Sequence, residues 1–144
     1  MRNNSGPWSR NPPVTAPFFV DENDLALGKA LRDLHHNIVY PGHVELPEIP
    51  RGALDDEWLP IVASLRLPVI TRDQRIRYRP VERRLWMEHR VRGFVLTGRR
   101  SQSTLDSLAI LQQHWPHIEQ IIVTEPDSPW MYAITTTGLR PITL

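Results

Sequence analysis

Short apolar runs alternating with amphipathic stretches predict an α/β fold: a three-layer arrangement with a mainly parallel central sheet, flanked by helices and extended by a C-terminal β-hairpin. Three observations carry this. Four apolar runs, Phe18-Phe19-Val20, Ile38-Val39-Tyr40, Val69-Ile70-Thr71 and Phe94-Val95-Leu96, are each too short for anything but a buried strand. Between them lie stretches with apolar residues at helical spacing. Near the end, Met131 to Thr136 and Leu139 to Thr143 flank Thr137-Gly138, a turn signal.

Taken in order, Met1 to Ala16 is polar and rich in proline, and reads as a disordered tail with no apolar segment of a secretory signal. After the first strand, Asn23 or Asp24 can cap a helix whose inward face is Leu27, Ala30, Leu31 and Leu34. Prolines at 41, 47 and 50 mark a loop. Asp55-Asp56-Glu57 then opens a second helix with Trp58, Ile61, Val62 and Leu65 inward. Pro60 must lie in its first turn, because a deeper proline clashes with the carbonyl one turn back. Glu82 to Arg90 is a third helix. Ser103 to His114 is a fourth, with Leu105, Leu108, Ala109 and Leu111 inward, and Ile118 to Thr124 reads as a fifth strand. The expected organisation is a tail at 1–16, a domain at 17–127 and a hairpin extension at 128–144, whose Trp130, Met131 and Tyr132 either pack on the sheet or form a docking or dimer surface.

Composition narrows the chemistry. Cysteine is absent, which excludes thiolate metal sites and fits a reducing cytoplasm. No run of ~18 apolar residues is present, so no transmembrane helix is expected. The net charge of +1 hides a gradient: residues 66–100 hold eleven arginines and three acids, whereas residues 1–65 hold nine acids and five basic residues. Such a belt suits a polyanion, since guanidinium groups pair with phosphate through two parallel hydrogen bonds. Arg72, Arg75, Arg77, Arg79, Arg83 and Arg84 are the expected RNA-binding set. None of the six histidines has the spacing of a helical His-Glu-x-x-His metal motif, and they read as surface or capping residues.

The acids carry the sharper expectation. Asp21 ends the first strand, Asp73 follows the third by two residues, and Asp55, Asp56 and Glu57 begin the helix leading into that third strand. In a parallel α/β sheet, strand C-termini and helix N-termini share one edge, so these acids should meet. Converging carboxylates repel, and an all-oxygen cluster selects a hard divalent cation, magnesium or manganese. Metal ligands are therefore sought among Asp21, Asp55, Asp56, Glu57 and Asp73, with Asp21, Asp56 and Asp73 as catalytic acids. The bland alternatives are a helix cap for Asp55 or Asp56, a dipole contact for Glu57 and a turn for Asp73.

Phe18-Phe19-Val20-Asp21-Glu22-Asn23 followed by a helix resembles the opening of PIN-like domains of the VapC toxin type. Asp55-Asp56-Glu57-Trp58-Leu59 through Val69-Ile70-Thr71-Arg72-Asp73 is similar to that family's second signature. The resemblance spans roughly residues 17 to 125. It implies magnesium- or manganese-dependent cleavage of RNA, restrained by a cognate antitoxin, with Asn23 supporting the site. One departure stands out. The family often carries a fourth acid after the next strand, where this chain has Thr97-Gly98-Arg99-Arg100-Ser101, and Asp106 lies too far along the following helix. A catalytically inactive PIN-like RNA-binding or regulatory protein is the alternative. A phosphorelay receiver fits poorly, because the only lysine, Lys29, is on the first helix.

Overall fold

A computed structural model describes residues 17–98 and 102–144; the expected N-terminal tail and two belt residues, Arg99 and Arg100, lie outside them. The apolar runs become strands β1 (Phe18–Val20), β2 (Ile38–Val39), β3 (Val69–Thr71) and β4 (Arg92–Leu96), joined by β5 (Trp130–Thr135) and β6 (Gly138–Ile142). They form one sheet in the order β2-β1-β3-β4-β5-β6. All neighbours are parallel except β5 and β6. The helices are α1 (Leu25–Asp33), α2 (Asp55–Ser64), α3 (Arg75–Tyr78), α4 (Pro80–Glu88) and α5 (Thr104–Thr124), with a single 3-10 turn at Glu22–Asp24.

Alternation of side chains along β1 explains the three layers. Phe18 and Val20 face a core with Leu27, Leu31, Trp115 and Ile118 from α1 and α5, whereas Phe19 faces Trp58, Val62, Ile76 and Trp86 from the other three helices. Strands covered on both faces need no polar alternation, which is why their sequences read as continuous apolar runs. Gly93 lets the second layer close: a Cβ there would stand 2.7 Å from the Trp86 ring and from the Val69 carbonyl oxygen. Trp86 is fully buried, and its indole N–H donates to the Trp130 carbonyl at 3.1 Å.

Three expectations change, and the hairpin takes the first of its two expected placements. Residues 118–124 continue α5 instead of forming a strand, because Leu111, Trp115, Ile118, Ile121 and Ile122 keep one helical face buried throughout. On the same helix Leu105 is 75% exposed and Ala109 is also outward. The C-terminal hairpin forms, yet β5 pairs with β4 as a full member of the sheet, and Trp130 and Met131 are buried there, so neither offers a docking surface. Pro60 lies in the second turn of α2, where it cannot donate to the Asp56 carbonyl. Among the described residues no helix is long and apolar enough to cross a membrane.

Candidate functional site

Register fixes the centre of the site. Val20 of β1 lies beside Ile70 of β3, so the chain leaves both strands at the same edge, at Asp21 and at Thr71-Arg72-Asp73. The N-terminus of α2 reaches that edge as well. A cavity of about 540 Å³ opens there, lined by Asp21, Glu22, Asn23, Asp55, Asp56, Arg75 and Glu82 among others. A smaller one of about 350 Å³ adjoins it and holds Asp24, Arg72 and Asp73; Asn23 and Arg75 border both.

Asp21 is only 6% exposed. Its Oδ1 accepts from the Glu22 backbone N–H at 2.7 Å, capping the 3-10 turn, and Oδ2 accepts from the Asn23 amide at 3.4 Å. Burial, reinforced by repulsion from Asp55, Asp24 and Asp73, pushes its pKa up to about 6 despite the Glu22 hydrogen bond. Asp55 is also held above the usual carboxylate range by burial, with Asp73 adding repulsion and the Trp58 indole N–H, donating to Oδ1 at 3.1 Å, opposing it. Asp73 goes the other way. Burial would raise it, but Arg75 outweighs that by donating Nε–H and Nη2–H to the two carboxylate oxygens at 2.9 and 3.0 Å and its backbone N–H to Oδ1 at 3.0 Å. Glu22 is also held below its usual value, accepting from the Gly52 N–H at 2.6 Å and from Arg51, which fastens the loop before α2 to the end of β1.

The remaining expected acids divide. Asp56 is exposed at the cavity lining. Glu57 does not face the cavity; its Oε1 accepts from the Leu54 N–H at 2.8 Å and caps α2, the dipole-end role open to an acid at that position. Neither Asp55 nor Asp56 is the N-cap, a position held by Leu54.

Two acids were not singled out by sequence. Asp24, 6% exposed, accepts from the Arg72 backbone N–H at 3.0 Å and from its Nε–H at 2.8 Å, a tie between β1 and β3 rather than a helix cap. Glu82 lies in the first turn of α4 and lines the acidic cavity, with Oε1 3.9 Å from Arg79 and Oε2 buried without a hydrogen-bond partner. The signal for Glu82 was available: any acid opening a helix of a parallel α/β unit starts at the strand C-terminal edge.

Much of the arginine belt is engaged by partners within the protein. Arg72 is committed to Asp24 and donates to Ser107 Oγ at 3.3 Å. Arg83 donates to the carbonyls of Arg77 and Thr143. Arg66 and Arg90 likewise hold the carbonyls of Pro126 and Ser128, so much of the belt fastens the C-terminal segment. Arg75 is paired with Asp73. Of the expected RNA-binding set, Arg72, Arg75 and Arg83 therefore have partners within the protein. Arg77 lies over the Tyr78 ring at 5.0 Å, Arg79 stands 3.9 Å from Glu82, and Arg84 is exposed.

The family described as a PIN like domain matches residues 17–98, more than half of the chain and the whole acidic edge, and the protein belongs to that family. Neither the curated proteins nor the solved structures yielded a match. The donor chemistry suits a hard divalent ion. All candidate ligands are carboxylates, two are pushed toward protonation by burial and by neighbouring carboxylates, and a buried Glu82 oxygen is orphaned. Yet among the described residues no group of three or more acids or histidines stands arranged to hold a metal, and Asp73 is turned to Arg75.

Proposed function

We propose that this protein is a magnesium- or manganese-dependent endoribonuclease acting as the toxin of a two-protein toxin–antitoxin pair. One observation carries the reading: Asp21, Asp55 and Asp73, from the end of β1, the start of α2 and the end of β3, come to one edge in two adjoining cavities that share Asn23, and burial with repulsion from neighbouring carboxylates holds Asp21 and Asp55 above the usual carboxylate range. Asp21, Asp55, Asp56 and Asp73 are the residues to hold the cation. Bound there, it supplies Lewis-acid polarisation of the scissile phosphate and a lowered pKa for the attacking water. Asn23 steadies the Asp21 carboxylate through its amide, and Asp56, exposed at the cavity lining, would be the residue to act as general base there. The cognate antitoxin covers this cavity.

The test is a labelled structured RNA incubated with purified protein in manganese, magnesium or a chelator. Cleavage that needs the metal, with growth arrest on expression and rescue by the antitoxin, is the expected result. The second reading, an inactive PIN-like RNA-binding regulator, draws on the Asp73–Arg75 pair and the lack of a ready ligand group. RNA that is bound but never cut in any divalent metal decides for it.

RNA is gripped by Arg77, Arg79 and Arg84. Replacing all three by alanine is expected to weaken RNA binding and lower the slope of log affinity against log salt by about 2, at ~0.7 per single-strand phosphate contact. An unchanged slope removes these residues from the interface.

A further inference from the structure

The acidic cavity has five carboxylates in its lining, Asp21, Glu22, Asp55, Asp56 and Glu82, and a single cationic side chain, Arg75. Arg75 reaches Asp73 with two side-chain N–H groups and borders both cavities, the acidic one and that containing Asp73. Its charge is felt by Asp55 and Glu82 as well. Its side chain is 52% exposed, against 15% for Asp73, so the guanidinium can swing outward while the carboxylate stays. We propose that Arg75 is a built-in placeholder for the divalent cation: it neutralises Asp73 and the cavity mouth in the metal-free protein, competes with the ion, and is displaced when the ion takes Asp73.

The physical argument is one of exclusive occupancy. A planar guanidinium fork on both oxygens of Asp73 occupies the lone pairs that a metal would use. A carboxylate cannot serve both at full strength, and a cation beside a dication is repelled. Because the arginine side of the pair is half-exposed, its grip is closer to that of a surface ion pair and weak enough to yield. A local pair two residues apart also needs no backbone movement to open. The placeholder meets two needs at once. It lessens the repulsion of a crowded acid edge without metal, and it sets a threshold of metal concentration below which Asp73 is unavailable.

This inference rests on the proposed metal site, and the experiment separates the two. Manganese binding is titrated by calorimetry to the wild type, Arg75→Ala, Asp73→Asn and the double variant, with Asp21→Asn as reference. Folding is checked by circular dichroism, and the exposed position of Arg75 makes its loss tolerable. Arg75→Ala is expected to bind manganese on the order of fivefold more tightly, the upper end for releasing an exposed ion pair. In the Asp73→Asn background the same substitution should lose most of that gain. A wild type that binds manganese, with Arg75→Ala binding equally or more weakly, overturns the placeholder and leaves the site standing. No manganese binding by either protein overturns the site itself and the placeholder with it. Tightening that persists undiminished without Asp73 also overturns it, because the effect is then one of general charge.

Discussion

Asp21→Asn is expected to abolish RNA cleavage and, in the same molecule, to raise stability above pH 6 in the absence of metal. The activity loss follows from removing the best-buried acid of the cluster, and a fall of roughly 1,000-fold or more is the scale of a lost metal-ion contribution. The stability gain follows from linkage. Asp21 has a folded-state pKa of about 6 against an ordinary 3.8. The folded protein therefore favours the protonated acid, and the cost of ionising it is absent below the ordinary value. That cost grows as pH rises between the two values and is complete above the higher one. Two pKa steps discounted for partial solvent contact amount to about 2 kcal/mol, or roughly 5 °C in Tm for a chain of this size. Asparagine keeps an oxygen for the Glu22 N–H and carries no charge. Thermal melts of both proteins in chelator at pH 4.5 and pH 7.5 give the check. The curves should draw closer at the lower pH, where only part of the cost is present, and separate fully at the higher, with Asp21→Asn melting later. A variant that still cuts RNA removes Asp21 from catalysis, and a variant less stable at pH 7.5 makes Asp21 a structural acid. A residue that is best for activity and poor for stability is the signature of a functional site.

How far the site was legible depended on what each signal measures. Asp21 and Asp73 stand next to apolar runs, and an acid there is conspicuous because parallel topology sends all strand ends to one edge. Asp24 carried no such mark. Three residues after Asp21, it had the look of a helix cap, and only its distant partner Arg72 shows its role. The internal partners of the belt were hidden for the same reason. Clustering counts charges, whereas the acceptors that engage Arg66, Arg83 and Arg90 are carbonyls between residues 126 and 143, which no local pattern announces. In α5 the β-branched run Ile121-Ile122-Val123 favours a strand by composition. A 3.6-residue period sustained from Leu111 to Ile122 prevailed, because burying one face of a long helix outweighs local preference. The tail of that helix then turns directly into β5, which draws the hairpin into the sheet.

Asp24→Ala and Arg72→Ala should be the most damaging single changes at the site edge, each lowering stability by about 3 kcal/mol, the low end for breaking a buried ion pair. The low end applies because Arg72 keeps 30% side-chain exposure, whereas Asp24 has 7%. Either substitution leaves the other charge without its counter-ion where β1 and β3 meet, and removing Asp24 also frees the Arg72 backbone N–H. A melting point lower by roughly 10 °C is the corresponding shift. The double variant should cost scarcely more than either single one, since the first removal already loses the pair and the second relieves an uncompensated charge. Urea unfolding of the four proteins measures this coupling directly. The same series distinguishes two meanings of Arg72. As a phosphate contact, Arg72→Ala would weaken RNA binding at full folding and flatten the salt slope, and Asp24→Ala would not. As the clasp between β1 and β3, it lowers stability together with Asp24→Ala and leaves the salt slope of the folded fraction unchanged. The geometry favours the clasp, in which Arg72 aligns the acidic edge by holding Asp24.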